Sequence, residues 1–470
     1  MIGRQRERDI LLRCLESDKS EFVAVYGRRR VGKTFLVKEV LGGRFTFHAT
    51  GVLDAEGGMA AQVGSFNDEI AAQGGADLPR AATWRQAFAN LNELVGRAPR
   101  GKKVLFLDEL PWMATRNSDF VAALDWFWNR WAASREDVLL VICGSATQWI
   151  IEHIVDHRGG LHNRLTRQIS LQPFTLRECE EFFRHEGFVL TRHQMAEAHM
   201  VFGGVPYYLS LMDRRFELYY NIDELFFAPA APLRHELDNL FRSLFAHPDG
   251  HVQVVRALAA KARGLSRDEI AQAAKLPDGG GLTRILRELE QCGFIRVYLA
   301  YGKAKRDKSY QLADAFTRFA IRFGRSRQTY ADDWWRQFSG TPAHSTWAGH
   351  AFEQVCLAHV PQIKAALGVA GVLVEAYSWR SRAHEPGAQI DLVLDRADRV
   401  VNLCEIKYAP GEHTLTRQES LKLRNRLTAF TAETKTTKAV RTTMITTFGL
   451  KPNKYAAEIL SQITLDALFA

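Results

Sequence analysis

The sequence predicts an α/β fold that opens with a parallel sheet. Strand-like and helix-like segments alternate from the N-terminus to about residue 185, the pattern of strands joined by crossover helices. Two of the strand-like segments, Val104-Leu105-Phe106-Leu107 and Leu139-Leu140-Val141-Ile142-Cys143, are apolar at every position. Strands covered on both faces read that way. The composition allows such a core: 46% of the 470 residues are hydrophobic, and the length suggests about three domains.

Taken in order, Phe22-Val23-Ala24-Val25-Tyr26 is the first strand and ends at a glycine-containing turn. Phe45-Thr46-Phe47-His48 is the second, the two apolar runs are the third and fourth, and Gln168-Ile169-Ser170-Leu171 is a fifth. Residues 186–245 turn helical, with Gly203-Gly204-Val205-Pro206 as an internal breaker. Residues 246–315 read as helix, turn, helix and hairpin. Residues 316–345 make a connection rich in arginine and aromatic side chains. Residues 346–470 start with a helix and pass into strands.

The first turn carries the chemistry. Gly27-Arg28-Arg29-Arg30-Val31-Gly32-Lys33-Thr34 is a complete phosphate-binding loop between an apolar strand and a helical run. Glycines let backbone N–H groups close around phosphate oxygens, and the helix start that follows favours negative charge. Lys33 is expected to reach the β- and γ-phosphates of ATP, and Thr34 to hold Mg²⁺. The third strand runs into Asp108-Glu109. An acidic pair at the end of a buried strand is costly unless it meets a cation. Asp108 is expected on Mg²⁺, and Glu109 beside the attacking water. After the fourth strand, Gly144-Ser145-Ala146-Thr147 places Ser145 either as a polar sensor of the γ-phosphate or as part of a plain turn. Arg164 precedes the fifth strand and is a candidate arginine finger, within one chain or toward a second copy, with Arg167 as its rival.

These segments, with Gly203-Gly204-Val205-Pro206-Tyr207, resemble the archaeal-type P-loop ATPases, which are related to AAA+ and STAND proteins. The resemblance implies a helical lid over residues 186–245, with Pro206 near the adenine. Gly3-Arg4 and Glu7 are similar to the box those proteins place beside the base. The resemblance covers the whole chain, because the family commonly continues into a winged helix and a nuclease-like domain. By analogy with such ATPases, a homo-oligomer is an expected assembly.

Within residues 246–315, Ser266-Arg267-Asp268-Glu269 is a capping box that starts a helix. Pro277-Asp278-Gly279-Gly280 breaks it. Leu282, Ile285, Leu286 and Leu289 then mark one face of a second helix, which Gly293 ends. Phe294 to Leu299 and Ser309 to Leu312 pair around Lys303-Ala304-Lys305-Arg306-Asp307-Lys308. That order is a winged helix with a basic wing. Arg284, Arg287 and the wing lysines are placed to touch DNA phosphates, or the module serves as a protein-contact element; Glu288 and Glu290 argue for the second use.

Near the C-terminus, Gln389 to Leu394 and Val400 to Lys407 read as a hairpin centred near Asp398. That hairpin would set Asp391 about opposite Glu405, and period-two alternation puts Glu405 and Lys407 on one face. Two carboxylates and a lysine at one edge suit metal-assisted phosphodiester cleavage. Glu353, on a helix upstream, would supply a further ligand. The pattern resembles the PD-(D/E)XK nucleases, with Asp391 and Glu405-Ile406-Lys407 as the core motif. It departs in having Ile390, not proline, before Asp391, while Pro386 lies several residues earlier. A solvated salt-bridge face is the plainer reading of the same E-x-K.

The expected organisation is therefore an α/β chain in five parts. A P-loop ATPase core spans 1–185, a helical lid 186–245, a winged helix 246–315, a linker 316–345 and a restriction-endonuclease-like α/β domain 346–470. The net charge of +9 suits DNA as a partner but decides nothing alone. The six cysteines form no C-x-x-C and read as reduced thiols. No apolar run approaches the ~18 residues of a membrane span, and the first residues lack a signal-peptide core, so a cytoplasmic protein is expected. The function this predicts is an ATP-hydrolysing, ATP-regulated nuclease. The alternative is an ATP-dependent switch whose nuclease-like domain is inactive.

Overall fold

A computed structural model describes every residue except Met1, 54–57, 116–117, 156–162, 246, 262–263, 303–307, 325–332 and 382–387. The chain forms two compact units, 1–173 and 174–470.

The first unit is built on a five-stranded sheet: β1 (Glu21–Tyr26), β2 (Phe45–Thr50), β3 (Lys103–Asp108), β4 (Val138–Gly144) and β5 (Arg167–Ser170). The order is β2-β3-β4-β1-β5, and every pairing is parallel. Each residue of β3 and β4 is buried, as their unbroken apolar runs require. Phe47, Phe66, Trp84 and Phe88 fill the core on one face, and Leu11, Leu36, Val37 and Val141 fill the other. The helix Trp84–Arg97 shows how the sequence chooses its face. Thr83 caps it by accepting from the Gln86 N–H, and Trp84, Phe88, Leu91 and Val95 recur along one stripe, all buried. Each such side chain contributes roughly 1.5–3 kcal/mol by leaving water. In contrast, β5 pairs only with β1 and buries only Ile169. Because the strands are parallel, the turns after β1, β3 and β4 gather at one edge of the sheet.

The first unit ends at 173 rather than at 185. The helix Leu176–His185 has its own start, a capping box between Thr175 and Glu178, and it packs on the helix Arg192–Phe202 of the second unit. That second helix is capped in the same way by Thr191 and Gln194.

Further along the second unit, the helices Asp249–Ala259, Arg267–Ala274 and Gly280–Gln291 precede an antiparallel hairpin, β6 (Ile295–Leu299) and β7 (Lys308–Leu312). The Ser266–Glu269 capping box is formed, and Leu282, Leu286 and Leu289 are buried. Residues 303–307 of the basic wing lie outside the described residues. A second sheet follows: β8 (Val374–Arg380), β9 (Gln389–Arg396), β10 (Val400–Lys407), β11 (Ala439–Thr446) and β12 (Ser461–Thr464), in the order β12-β11-β10-β9-β8. β8, β9 and β10 pair antiparallel, and β10, β11 and β12 pair parallel. Val393, Val401 and Leu403 pack against Phe430 of the helix Arg417–Thr434. The helix Pro342–Ala358 covers the opposite face, where its Cys356 lies beside Cys404. The chain is thus a mixed α/β protein with a P-loop-type parallel sheet and a separate C-terminal α/β sheet.

Candidate functional site

At the end of β1 the backbone turns through Gly27 at φ +144°, where an added Cβ would lie 2.3 Å from the Leu171 carbonyl oxygen. Only glycine fits there. The loop continues through Arg28, Arg29, Arg30 and Val31 to Gly32 at φ +88°, and the helix Lys33–Leu41 begins at once. Lys33 is 6% exposed, and its Nζ donates to the Gly27 and Arg28 carbonyls at 2.9 Å each. The Thr34 hydroxyl donates to Asp108 Oδ2 at 2.8 Å, while Asp108 Oδ1 accepts from the Glu109 N–H at 2.9 Å. Asp108 is 4% exposed. Burial, with Asp108 beside it, pushes the Cys143 thiol well above its usual range.

Glu109 sits in the left-handed region at φ 47° and starts the short helix Leu110–Met113. Its Oε2 accepts from both the N–H and the hydroxyl of Ser145, at 3.1 and 3.0 Å. Ser145 is therefore occupied in holding Glu109, a link that sequence separation hides. Arg164 and Arg167 are both exposed, one in the turn before β5 and one on that edge strand, where Arg167 donates to the Thr166 carbonyl. Leu161 and His162, beside Arg164, are outside the described residues. Arg4 precedes the helix Gln5–Glu16 and donates to the Gln172 carbonyl at 2.6 Å. Pro206 opens the helix Pro206–Ser210 of the second unit, after Gly203 and Gly204 at φ 70° and 65°.

The donor set fits a nucleotide with a divalent cation. A hydroxyl and a buried carboxylate 2.8 Å apart supply hard oxygens, and a lysine and a helix start supply positive charge for phosphates.

β9 and β10 pair from Val401↔Asp395 to Cys404↔Leu392, a register whose next step would set Asp391 opposite Glu405, although the ladder ends one step earlier. Against β8 the register shifts: Tyr377 pairs with Val393, but Trp379 pairs with Ile390. The extra residue in β9 brings Ile390 and Val393 into the same core cluster, so strict alternation fails and Asp391 is re-aimed. Its carboxyl is raised above the usual range by burial, then by neighbouring Glu353, and less by Glu405. Gln389 donates to its Oδ1 at 2.7 Å. Glu405 forms ion pairs with Lys407, at 2.9 Å, and with Arg426. His350 lies 3.6 Å from Glu353, which raises the imidazole. Among the described residues no three His, Cys, Asp or Glu side chains stand close enough to hold a metal as they are. Glu353, Asp391 and Glu405 therefore share a neighbourhood without forming a ligand set. Arg426 and Gln389 were missed by sequence reasoning, since neither sits in a motif; Pro386 lies outside the described residues.

Loop, lysine, threonine and the acidic pair define the first unit as a P-loop ATPase. Residues 1–212 match an ATPase domain family found predominantly in Archaea, so the chain carries an archaeal-type P-loop ATPase domain. An uncharacterized protein of Methanocaldococcus jannaschii is 22% identical over 324 residues, 68% of each chain. The Walker-type ATPase of Pyrococcus abyssi is similar at a TM-score of 0.49 with 17% identity, over 69% of this chain and 96% of that one. The ORC2 protein of Aeropyrum pernix, solved with ADPNP and ADP, is similar at 0.41 with 14% identity, over 68% and 93%. Among the described residues no helix is long and apolar enough to cross a membrane.

Proposed function

We propose that ATP hydrolysis in the first unit regulates Mg²⁺-dependent cleavage of DNA by the second. Lys33 exchanges its bonds to the Gly27 and Arg28 carbonyls for phosphate oxygens. Thr34 and Asp108 would hold Mg²⁺, which would supply positive charge against the developing phosphate charge. Glu109 orients the attacking water, and Ser145 fixes the Glu109 carboxylate through two hydrogen bonds. Arg164, exposed ahead of the edge strand β5, is the candidate arginine finger, within one chain or toward a second copy.

The observation that carries the cleavage half is the gathering of Glu353, Asp391, Glu405 and Lys407 at one end of β9 and β10. Their carboxylate oxygens suit a hard cation, and Lys407 suits a developing phosphorane charge. The test is cleavage of plasmid and single-stranded DNA under Mg²⁺ or Mn²⁺, with and without ATP, by parent, Asp391→Ala and Lys33→Ala proteins. Cutting lost in Asp391→Ala and altered in Lys33→Ala is the expected result. An uncut substrate with ATP hydrolysis intact would overturn it.

A second reading has its own observation. Glu405 is already neutralised by Lys407 and Arg426, and the irregularity in β9 turns Asp391 toward Glu353. That favours an ATP-dependent switch, with a DNA- or partner-binding winged helix over residues 246–315 and an inactive nuclease-like domain. Under it, Lys33→Ala abolishes the biological output and Asp391→Ala leaves it unchanged.

A further inference from the structure

Both oxygens of Glu405 already face a cation. Lys407 Nζ lies 2.9 Å from Oε1, and Arg426 Nη1 donates to Oε2. The two cations are placed by different means. Alternation along β10 puts Val401, Leu403, Glu405 and Lys407 on one face, so Lys407 is set beside Glu405 by the strand itself. The helix Arg417–Thr434 covers that face: Phe430 packs on Val401 and Leu403, and Arg426 lies one turn before Phe430. Lys422, a further turn back, is exposed and continues the positive face of the helix.

Arg426 is held through one nitrogen. Its side chain is 30% exposed, and among the described residues its Nε and Nη2 make no hydrogen bond. It also stands near enough to Asp391 to draw that carboxyl down, against burial and the neighbouring Glu353 and Glu405. The guanidinium is therefore at the acidic end of β9 and β10 with donors turned to water. A further cation approaching Glu405 is repelled by the two already there. Lys407, fixed two residues along the same strand, stays beside Glu405 whatever happens. Arg426, on a long side chain from another element, is the one that can move off.

We propose that Arg426 gates the candidate cleavage centre: it neutralises Glu405 in place of a divalent cation, and when a cation displaces it, it takes a phosphate oxygen of the nucleic acid instead. The inference rests on the reading that the second unit cleaves DNA, and it assigns the phosphate-binding side chain at that centre. The exchange balances in charge. Glu405 trades a guanidinium for a metal ion, and the guanidinium trades a carboxylate for a phosphate. A guanidinium fork matches either anion, so the same group serves in both states. While Glu405 holds it, Arg426 adds nothing to DNA affinity.

The test uses the full chain in a Lys33→Ala background without nucleotide. Mn²⁺ alone is titrated by calorimetry, with an Asp391→Ala protein as the blank for Mn²⁺ bound elsewhere. A fluorescein-labelled duplex is titrated by anisotropy, once in EDTA and once in Ca²⁺. Arg426→Gln should bind Mn²⁺ about two- to fivefold more tightly, because a competing cation of a partly exposed ion pair has gone. It should match its parent on duplex in EDTA and bind about tenfold more weakly in Ca²⁺, the loss expected of a charge-assisted contact. The salt dependence of duplex binding should lose about one phosphate contact, in Ca²⁺ only. Arg426→Lys keeps the charge and loses the fork; it should leave Mn²⁺ affinity near the parent's and give part of the loss in Ca²⁺, and it carries the test if Arg426→Gln does not fold. An ion pair that only braces the helix predicts otherwise: Arg426→Gln would lower Tm, fail to tighten Mn²⁺ binding and shift duplex affinity equally in EDTA and Ca²⁺. Either of the last two results would overturn the proposal. Cleavage lost in Asp391→Ala with both affinities unmoved by Arg426→Gln would sink the gate and leave the nuclease standing. The expected affinities with no form cutting DNA would keep the gate and remove the nuclease.

Discussion

Alanine at Gly27 should destabilise the first unit more than alanine at Gly32, although the two glycines belong to one loop. Both have positive φ, +144° and +88°, so each alanine carries strain of about 1–3 kcal/mol. They differ in what the new methyl group meets. At Gly32 nothing lies within 4 Å, whereas at Gly27 the Leu171 carbonyl oxygen would be 2.3 Å away. That oxygen cannot retreat freely, because the Leu171 N–H donates to the Tyr26 carbonyl at 2.7 Å, one residue before the glycine. Overpacking of this kind costs a further 1–3 kcal/mol or so. Gly27→Ala is thus expected to lose about 4 kcal/mol and Gly32→Ala about 2. For a unit of this size each kcal/mol moves Tm by roughly 2–4 °C, so the two variants should melt about 4–8 °C apart. Circular dichroism melts of the full chain, with ATP added to mark which transition belongs to the first unit, measure this. Identical melting of the two variants would refute the claim that β5 and its following residues hold the loop rigidly from behind.

Ser145→Ala removes one of two bonds on Glu109 Oε2, so kcat for ATP should fall about tenfold with nucleotide affinity unchanged, read by phosphate release and equilibrium binding. Glu109→Gln should fall further, about 10²–10⁴-fold, with binding again retained. Glu197 is 3% exposed and accepts from the hydroxyls of Tyr219 and Tyr408; Tyr408→Phe should cost about 1.5–3 kcal/mol in urea unfolding of the second unit. His199 is buried, and burial, with His359 facing it, lowers its pKa to about 3. The unfolded chain therefore binds a proton near pH 6.5 that the folded chain refuses until about pH 3. Stability is unaffected above that window and falls as pH drops through it, by about 2 kcal/mol at pH 5. His199→Gln should flatten this acid limb, and an unchanged slope between pH 7 and 5 would remove His199 from the account.

The fold class was legible because the strand signals are local. Each of the five strand-like segments in the first unit falls on a strand, with Leu171 one residue past β5, and glycine spacing with Lys33 and Thr34 marks the phosphate loop. What local pattern does not carry is pairing. Nothing in Ser145 announces that it will reach across to Glu109, since the bond depends on β3 and β4 being neighbours. β8 went unread, and with it the shifted register that upsets the alternation from Ile390 to Val393. A period-of-two argument holds only where the ladder is regular, and one extra residue reverses its answer. Arg318 looked like one more arginine in a basic, aromatic stretch; its burial is a property of the packed helix, not of its neighbours in sequence.

The two units treat buried charge in opposite ways, and this bears on where a ligand acts. In the first unit Asp108 is met by a threonine hydroxyl and a backbone N–H, and Glu109 by a serine. Neutral donors hold these carboxylates in place while leaving their charge for a cation, so the acids are positioned before any ligand arrives. In the second unit Glu405 is held by cations, which fix it but also spend its charge. Asp391 is crowded by other acids, and the Nε and Nη2 of Arg318 meet no hydrogen-bond partner among the described residues. The crowding at Asp391 is relieved by a hard cation, which answers Asp391 and Glu353 together, and a phosphodiester would bring further oxygens to that cation. Binding of strand and metal at this end should therefore be mutually reinforcing, with oligonucleotide affinity rising when Mg²⁺ replaces EDTA. An Asp391→Asn protein should lose that gain while keeping its basal affinity. A metal-independent affinity in the parent would show that these acids take no part in strand binding.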